Sequence, residues 1–386
     1  MKVAVFGASG FVGNAVVRVL AAAGRFTTLA AIRSAGSAWD LAKDGFTLTP
    51  VDILDRRAVA GAMHGCNAVV NCTRGSEEAM LRGLKNLLLE ARAAGVTRFI
   101  HLSSVAVYGD PPPPQSVRED APANPLPNSY GALKLAQDEI VAAAHRPGRF
   151  ETVMLCPPNI TGPGAAFLLG LLQALKAGKF ALLDEPAVPC SLVDVANLAA
   201  AARAALEAPR LPGGRLFIVD DEPASWAELL AGLAPLLEHA PAVPRIDRAT
   251  LAARRPALAP PPSLGRSLKH LVSSPVREAL RRDPSWAKAD KGLRRLVARV
   301  SWLESHVARW IEGPLPVTPF PLGPDYDWRL CVQQLRGVHH SNQRAKDAIG
   351  YQPITSFAGS LRRFTAWHGQ ACGTQDGDWA LLEALE

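Results

Sequence analysis

A tyrosine and a lysine stand four residues apart in the run Tyr130-Gly131-Ala132-Leu133-Lys134. Residues i and i+4 of a helix lie on the same face, so the phenol of Tyr130 and the ammonium of Lys134 can point into one cleft. A phenol with an unperturbed pKa near ~10 is a poor base at neutral pH, but a neighbouring cation favours the phenolate. The pair is therefore a candidate acid/base at a hydroxyl or carbonyl. The alternative is two side chains on the surface of a helix.

Glycines 7, 10 and 13 follow the apolar run at 3–6, at the point where a helical pattern begins at about Phe11. Glycine is needed where a turn is tight, where backbone approaches a pyrophosphate and where the helix packs on the strand, and the helix N-terminus offers unpaired N–H groups. This order predicts a dinucleotide site, with a purely structural turn as the alternative. The residues predicted to contact the dinucleotide are Gly7, Ser9, Gly10, Phe11, Val12 and Gly13.

The end of the second β-rich run bears on which dinucleotide is bound. Many NAD-dependent enzymes place a carboxylate there to hold the ribose 2′-hydroxyl, whereas this chain reads Ala30-Ala31-Ile32-Arg33-Ser34. An arginine suits a 2′-phosphate, so the sequence favours NADP over NAD, with Arg33 as the contact. A solvated Arg33 is the alternative.

Short β-rich runs alternate with helical patterns along the first part of the chain. Strands separated by helices indicate βαβ units with right-handed crossovers, and hence a doubly wound parallel sheet. Strands are predicted at 3–6, 27–32, 68–72, 98–103, 152–156 and 215–219, and helices from about residue 11, over 80–94 and over 130–144. Prolines at 111–114, 122, 125 and 127 mark a loop before the last of these helices.

Two longer stretches resemble a known family. They are LSSVAVYG at 102–109, after the fourth predicted strand, and NSYGALKLAQDE at 128–139. Together with the GxxGxxG spacing of the glycines, they resemble the extended short-chain dehydrogenases/reductases, the NAD-dependent epimerase/dehydratase family. The resemblance covers about residues 1–240, and GYQP at 350–353 is similar to the family's closing segment.

The resemblance implies an NAD(P)-dependent enzyme that moves hydride at a secondary alcohol or ketone. It implies Tyr130 as the acid/base, Lys134 as the residue that tunes Tyr130 and holds the nicotinamide ribose, and Ser104 rather than Ser103 as the catalytic serine. The further residues implied for the cofactor are Asp52 and Ile53 beside the adenine, and Cys72, Thr73, Tyr130, Lys134, Pro157 and Asn159 toward the nicotinamide. Those implied for the substrate are Ser104, Val105, Tyr130 and Asn159.

Several positions depart from the family's pattern. Val105 and Ala106 stand where sugar dehydratases of the family carry Asp-Glu, so a 4,6-dehydratase is not expected. Cys156 stands where an arginine is common in nucleotide-sugar epimerases, and the run at 185–190 contains none. A diphosphate needs charge-assisted donors, so a nucleotide-sugar substrate has little support. Met80 replaces an asparagine of a proton relay.

The net charge of +7 is concentrated in one segment. Residues 245–312 hold 15 Lys+Arg and 6 Asp+Glu, a net of +9, which leaves −2 for the rest of the chain. An amphipathic basic helix is predicted over 293–311. It could pack on its own protein, close over an anionic or lipid-like substrate, or make a peripheral membrane contact through 286–311. No nucleic-acid-binding module accompanies the charge, so nucleic acid is not an expected partner.

The composition, 48% hydrophobic and 20% charged, is that of a globular protein. No leader pattern and no apolar stretch long enough to span a membrane is present, so a cytoplasmic location is expected. The six cysteines show neither a disulfide framework nor metal-ligand spacing, and no metal is expected. His339-His340 is interpreted as a turn or a satisfied polar pair.

The sequence as a whole predicts an α/β fold, a Rossmann-type doubly wound parallel sheet with a smaller α-rich C-terminal substrate lobe. Residues 1–155 are predicted to form the NAD(P)-binding domain with the catalytic Ser, Tyr and Lys, and 156–386 the substrate lobe, with a basic insertion at 241–340. The predicted function is an NAD(P)-dependent oxidoreductase acting on a small molecule that is hydrophobic or anionic. The alternatives are a sugar epimerase with tightly bound NAD(P) and a non-catalytic NAD(P)-binding module. Relatives suggest a homodimer as one assembly.

Overall fold

The computed structural model describes residues 1–33, 38–185, 187–237, 242–254 and 326–371. All of these residues belong to one compact unit. The helix predicted over 293–311 and the membrane contact predicted through 286–311 lie outside the described residues, and most of the basic segment does too. The domain boundary placed at residue 155 and the homodimer stay predictions.

Thirteen strands are formed by the described residues. They are β1 (Lys2–Phe6), β2 (Thr27–Ile32), β3 (Leu48–Pro50), β4 (Ala68–Asn71), β5 (Arg98–Leu102), β6 (Glu151–Cys156), β7 (Asn159–Thr161), β8 (Leu182–Leu183), β9 (Pro189–Cys190), β10 (Leu192–Asp194), β11 (Arg215–Phe217), β12 (Ala224–Ser225) and β13 (Arg245–Ile246). Seven of them form the main sheet in the order β11-β6-β5-β4-β1-β2-β3, and all neighbours in it are parallel. The predicted doubly wound sheet is confirmed.

Twelve α-helices are formed by the described residues. They are α1 (Phe11–Ala22), α2 (Trp39–Lys43), α3 (Arg56–Met63), α4 (Leu84–Ala93), α5 (Tyr130–Ala144), α6 (Ala166–Lys176), α7 (Val195–Glu207), α8 (Trp226–Leu233), α9 (Arg248–Ala253), α10 (Trp328–Cys331), α11 (Gln343–Ile349) and α12 (Phe357–Ala371). Helices α1, α7 and α11 bury apolar side chains on one face of the main sheet, and α3, α4 and α5 do so on the other. Parallel sheets need this cover on both faces.

The ends of β2 and α5 coincide with the sequence-based prediction, whereas β3 and α3 were missed. β3 has only three residues, lies at the sheet edge and ends in a proline, so it carries little β-strand signal. The strand before Ser104 is therefore the fifth in chain order, not the fourth. Beyond residue 156 the described chain also forms three two-stranded ribbons, β7 with β10, β8 with β13 and β9 with β12, beside its helices.

The strand order reverses beside β1, which has β4 on one side and β2 on the other. In open parallel sheets a ligand crevice lies at such a reversal, outside the carboxyl ends of the strands. The residues that leave these ends are Gly7 after β1, Cys72 after β4, Ser103 after β5 and Pro157 after β6. Connectivity alone thus gathers most of the candidate residues at one edge.

The segment 326–371 returns to the sheet through buried polar contacts. The Tyr351 hydroxyl donates to the Val219 carbonyl at 3.1 Å, and the hydroxyls of Thr161 and Ser360 lie 2.8 Å apart. The Asn197 side-chain oxygen accepts from the backbone amides of Ile354 and Thr355. These contacts hold a late part of the chain against the strand ends.

None of the helices seen in the described residues is both long and apolar enough to cross a bilayer. Five cysteines of the same residues are free thiols, and four of them are buried. No cluster of metal-ligating side chains occurs in this part of the chain.

Candidate active site

The turn between β1 and α1 is shaped by its glycines. Gly7 has φ +77°, and a Cβ there would lie 2.9 Å from the Cys72 backbone of the neighbouring strand end. A Cβ on Gly13 would lie 2.1 Å from the Gly7 carbonyl oxygen, so α1 can pack this closely only with glycine. Gly10 is exposed, and no side chain caps the helix that it begins. The first amides of α1 remain available to an anion.

The segment after β4 is fixed by one buried amide. The Asn71 side-chain oxygen accepts from the Thr73 amide at 3.1 Å and from the Thr73 hydroxyl at 2.7 Å, while its nitrogen lies 3.1 Å from Nδ1 of His101. Cys72, Thr73 and Arg74 consequently line the cleft opposite the first turn of α1. Burial raises the pKa of the Cys72 thiol to about 12, so this thiol is not a nucleophile at neutral pH.

Ser104 begins a short 3₁₀ turn, Val105–Tyr108, at the end of β5. Its hydroxyl accepts from the Ala106 amide at 3.2 Å, and it faces the cleft. Helix α5 packs against this turn at Gly131, where a Cβ would lie 2.2 Å from the Ala106 carbonyl oxygen. The glycine between Tyr130 and Lys134 thus lets the helix that carries both approach the serine.

Tyr130 and Lys134 lie in the cleft together with Ser104. Lys134 is 3% exposed, and its ammonium donates to the Leu102 carbonyl at 2.7 Å and lies 5.9 Å from the centre of the Tyr130 ring. Burial lowers the pKa of Lys134 to about 8, against the attraction of Asp138. Loss of water also raises the pKa of Tyr130, although 42% of the residue stays exposed, and Arg74 opposes that rise.

A buried carboxylate supports these residues from behind. Asp138, one turn after Lys134 on α5, accepts at Oδ2 from the Ser103 hydroxyl at 2.8 Å and from Arg215 at 2.6 Å. Burial raises the pKa of Asp138, while Arg215 and Ser103 lower it. The Ser103 hydroxyl is thus engaged by Asp138, although Ser103 lines the cavity beside Ser104, and the choice of Ser104 as the catalytic serine stays a prediction.

The far wall of the cleft comes from distant parts of the chain. The Arg336 guanidinium pairs with both carboxylate oxygens of Asp110, at 3.0 and 2.9 Å, and also donates to the Asn159 side chain at 3.3 Å. The Asn159 amide donates to Gln333 at 3.2 Å. The positive charge of Arg336 is therefore matched by a carboxylate. Apolar residues complete this wall, namely Val105, Pro112, Ile160, Ala166, Phe167, Pro189, Trp226 and Val338.

His340 also lines the cleft. Its Nδ1 lies 3.1 Å from the Ser191 hydroxyl, and its ring meets Phe217 edge to face at 4.6 Å. Nε2 is buried and has no hydrogen-bond partner among the described residues. Burial, with help from the Arg336 charge, lowers the pKa of His340 to about 4, and the ring is neutral at physiological pH.

Residues predicted to hold the adenosine lie apart from the catalytic group, at the β2 and β3 end of the same edge. Arg33 is exposed at the end of β2. The Val51 amide donates to Ile32, which brings Asp52 beside that end, and the Asp52 carboxylate accepts from the Leu54 amide at 2.9 Å. The Ile53 carbonyl accepts from Asn86. No carboxylate is found among residues 30–37 of the sequence.

The cavity at the strand ends has a volume of about 400 Å³. Ten of the sequence-predicted residues line it, namely Phe11, Val12, Cys72, Thr73, Ser104, Val105, Tyr130, Lys134, Pro157 and Asn159. Gly7, Ser9 and Gly10 form the adjoining turn and Gly13 lies in the first turn of α1, while Arg33, Asp52 and Ile53 lie at the β2 and β3 end of the same edge. The prediction missed Arg74, Asp110, Phe167, Trp226, Gln333, Arg336 and His340. Of these, Arg74 directly follows the predicted contact Thr73, and Asp110 directly follows the LSSVAVYG run.

These features fit a nicotinamide dinucleotide. The uncapped N-terminus of α1 suits the pyrophosphate, the glycines leave the approach free of side chains, and the buried Lys134 ammonium can donate to a ribose hydroxyl. Backbone at Pro157 accepts from the Val105 amide at 3.2 Å and lines the inner end of the cleft, where a nicotinamide ring would be held.

Comparison with known proteins gives the family. The sequence profile of the NAD dependent epimerase/dehydratase family matches residues 3–219. The chain is 30% identical to the 4-hydroxy-2-methyl-3-oxo-4-farnesyl-3,4-dihydroquinoline-1-oxide ketoreductase of Stigmatella aurantiaca, over 62% of this chain and 73% of that one. It is 35% identical to the dTDP-6-deoxy-L-talose 4-dehydrogenase (NAD(P)(+)) of Kitasatospora kifunensis, over 45% and 57%.

Solved structures agree on the fold. The UDP-glucuronic acid 4-epimerase of Bacillus cereus, in complex with NAD, superposes with a TM-score of 0.61 at 15% identity, over 98% of this chain and 99% of that one. At that identity the likeness concerns the fold alone. The profile match, which covers more than half of the chain, establishes that this protein belongs to the NAD-dependent epimerase/dehydratase family of extended short-chain dehydrogenases/reductases and is an NAD(P)-dependent enzyme.

Proposed function

We propose that the protein reduces a ketone to a secondary alcohol, or catalyses the reverse oxidation, on a largely apolar substrate and with NADP as the preferred dinucleotide. The observation that carries the proposal is the convergence of Ser104, Tyr130 and Lys134 on the cleft that the first turn of α1 also lines. Tyr130 is the acid/base, Ser104 a second hydrogen-bond donor to the substrate oxygen, and Lys134 the cation that supports both cofactor and phenol.

The nicotinamide ring supplies or accepts the hydride when the dinucleotide is bound. The protein's part is to orient the substrate and to handle the proton. In reduction the Tyr130 hydroxyl gives its proton to the substrate oxygen while the Ser104 hydroxyl stabilises the developing negative charge. The Lys134 ammonium, held by the Leu102 carbonyl, is placed to stabilise the phenolate that remains.

Contacts to the dinucleotide are proposed for the residues predicted from the sequence. Gly7, Ser9, Gly10, Phe11, Val12 and Gly13 contact the pyrophosphate and the adjoining riboses. Arg33, Asp52 and Ile53 contact the adenosine, and Cys72, Thr73, Tyr130, Lys134, Pro157 and Asn159 the nicotinamide half. The substrate contacts are Ser104, Val105, Tyr130 and Asn159.

The far wall supports an apolar substrate. Arg336, the arginine there, is already paired with Asp110, and Cys156 is buried where many nucleotide-sugar epimerases place an arginine. A diphosphate would have to compete with that carboxylate, which is unfavourable. Phe167, partly exposed and packed edge to face on the buried Trp226, offers aromatic surface instead. The ketoreductase of Stigmatella aurantiaca, whose substrate carries a farnesyl group, is a relative with a comparable requirement.

Tyr130→Phe tests the proposal directly. Loss of the proton donor should lower kcat by at least ~10²-fold, because general acid catalysis contributes that much, while the Kd of NADP⁺ stays within about twofold of wild type. NADPH consumption is followed with a panel of alkyl and aryl ketones. Tyr326→Phe, which alters a tyrosine that packs on Trp328 outside the cleft, is the matched control. Unchanged turnover in Tyr130→Phe would contradict the proposal.

The same assay separates reduction from epimerisation. A reductase consumes NADPH in proportion to the ketone added, whereas an epimerase interconverts its substrate with no net change in added dinucleotide. Turnover of a nucleotide sugar without dinucleotide consumption would replace the proposal by epimerisation.

The preference for NADP is tested by Arg33→Ala. Losing a charge-assisted contact to the 2′-phosphate should weaken NADP⁺ binding about tenfold and leave NAD⁺ binding unchanged. Titration calorimetry with both dinucleotides gives the two affinities. Arg25→Ala removes an exposed arginine from the opposite end of β2 and serves as the control. Equal losses for both dinucleotides in Arg33→Ala would rule out a 2′-phosphate contact.

A further inference from the structure

An arginine lies over the ring of the acid/base tyrosine. The guanidinium carbon of Arg74, two residues after Cys72, is 5.3 Å from the centre of the Tyr130 ring, within the range of a cation–π contact. Arg74 lines the same cleft and forms no ion pair with any described residue. Its positive charge is therefore available to Tyr130.

Two cations thus face Tyr130, and they differ in kind. Lys134 is almost fully buried, with a pKa lowered to about 8, so its positive charge is partly lost in mildly alkaline solution. Arg74 is exposed, and a guanidinium keeps its charge throughout the working pH range. Arg74 is also nearer to the ring centre than the Lys134 ammonium, at 5.3 against 5.9 Å.

We propose that Arg74 is a positioning residue that acts through Tyr130, holding the ring at the cleft and stabilising the phenolate left when the phenol gives up its proton. The proposal rests on the proposed function, because it assumes that Tyr130 is the acid/base. In the step concerned the Tyr130 O–H bond breaks, an O–H bond forms on the substrate oxygen, and the electron pair stays on the phenolate. A cation over the ring is attracted more strongly to the phenolate than to the neutral phenol.

The other charged and titratable groups around Tyr130 do not replace Arg74. Asp138 on α5 and Cys156 on β6 both act to raise the pKa of Tyr130, as does burial, whereas Arg74 lowers it. Lys134 donates to the Leu102 carbonyl. Arg74 is therefore the group over the ring that opposes the cost of forming the phenolate.

The test follows Tyr130 by NMR on protein labelled at the phenolic carbon of its four tyrosines. Tyr130→Phe identifies the signal, which is then titrated with pH in wild type, Arg74→Met and Arg74→Lys. Arg74→Met should raise the pKa of Tyr130 by roughly half a pH unit, and Arg74→Lys, which keeps a cation, by less. Arg82→Met removes an exposed arginine outside the cleft and should change nothing.

Indistinguishable Tyr130 signals in wild type and Arg74→Met at every pH would overturn the proposal. So would a weaker Kd for NADP⁺ in Arg74→Met without a change in the Tyr130 titration, since Arg74 would then bind the dinucleotide instead. Neither result depends on turnover, so the role of Arg74 can fail while Tyr130→Phe still abolishes ketone reduction, and the two failures are distinguishable. Far-ultraviolet circular dichroism checks that each variant is folded.

Discussion

The two ends of the cleft are built by different means. The end proposed for the cofactor is made mainly of backbone in close contact: the glycine turn against the segment after β4, and α5 against the Ser104 turn. The substrate end is made of side chains that meet across long separations, such as Arg336 with Asp110 and Asn159 with Gln333. On the proposed function, backbone geometry fixes where the dinucleotide can lie, and side-chain pairs decide which substrate fits beside it.

This difference corresponds to the separate tasks of binding the cofactor and recognising the substrate. A nicotinamide dinucleotide, NAD or NADP, must be held in each case, and a turn that needs glycine at a few positions can receive its pyrophosphate. The substrate wall can change by substitution of a few side chains without disturbing the sheet. The relatives illustrate the point, since one is a farnesyl-quinoline ketoreductase and another a deoxy-sugar dehydrogenase.

The largest effect on stability and turnover is expected where the backbone of α5 contacts the Ser104 turn. In Gly131→Ala the new Cβ would lie 2.2 Å from the Ala106 carbonyl oxygen, so α5 must move away from the Ser104 turn. A displacement of this kind costs on the order of 1–3 kcal/mol of stability, and kcat should fall about 10²-fold because Tyr130 and Ser104 separate.

Thermal unfolding and ketone reduction measure both effects. Gly170→Ala is the matched control, because its Cβ in α6 meets nothing within 4 Å and should leave stability unchanged or slightly higher. If Gly131→Ala kept full activity, the close approach of α5 would not be what aligns the site.

An intermediate effect on stability is expected from the protonation of His340, which lies at the substrate end of the cleft. The folded pKa of His340 is about 4 against an ordinary 6.5, so between these values the unfolded chain binds more protons than the folded one. Stability is therefore lost as the pH falls from 6.5 toward 4, by up to about 2 kcal/mol at pH 5. In His340→Gln, which does not titrate, the difference in Tm between pH 8 and pH 5 should be smaller.

His64→Gln is the control for that comparison, because His64 is exposed. Its Tm difference between the two pH values should equal that of wild type. If the Tm of His340→Gln fell between pH 8 and pH 5 as much as that of wild type, protonation of His340 would not be a source of the loss of stability at low pH.

The smallest effect is expected from Arg336→Met. Its partner Asp110 is about half exposed, so the loss of the ion pair should cost at most ~1 kcal/mol and a few degrees of Tm. The rise in Tm produced by NADP⁺ should be unchanged, because Arg336 lies at the substrate end, while KM for the ketone changes. Arg329→Met, which breaks an ion pair with the nearby Asp327, is the control. A smaller rise in Tm with NADP⁺ in Arg336→Met than in wild type would contradict the assignment of Arg336 to the substrate end.

The residues proposed for the cofactor could be recognised in the sequence because their signals are local. Glycine spacing, a Tyr-Lys pair at i and i+4, and a serine at a strand end can each be recognised within a dozen residues. The edge strand β3 was missed because three residues ending in proline show no alternation, and α3 was missed although Asp55 caps it through the Arg57 amide. Arg74 was overlooked beside a recognised motif, since nothing in the sequence places it over the Tyr130 ring.

The sequence by itself determined the parallel sheet, the glycine turn and the helix that carries Tyr130 and Lys134, because these depend on periodicity and on conformational demands at single residues. Only the tertiary structure decided that Arg336 is paired with Asp110, that His340 is neutral, and that Gly131 sets the spacing between helix and serine. The physical reason is distance along the chain. The protonation state, burial and partners of a side chain depend on residues as far as 226 positions away, and these come into contact only when the chain folds.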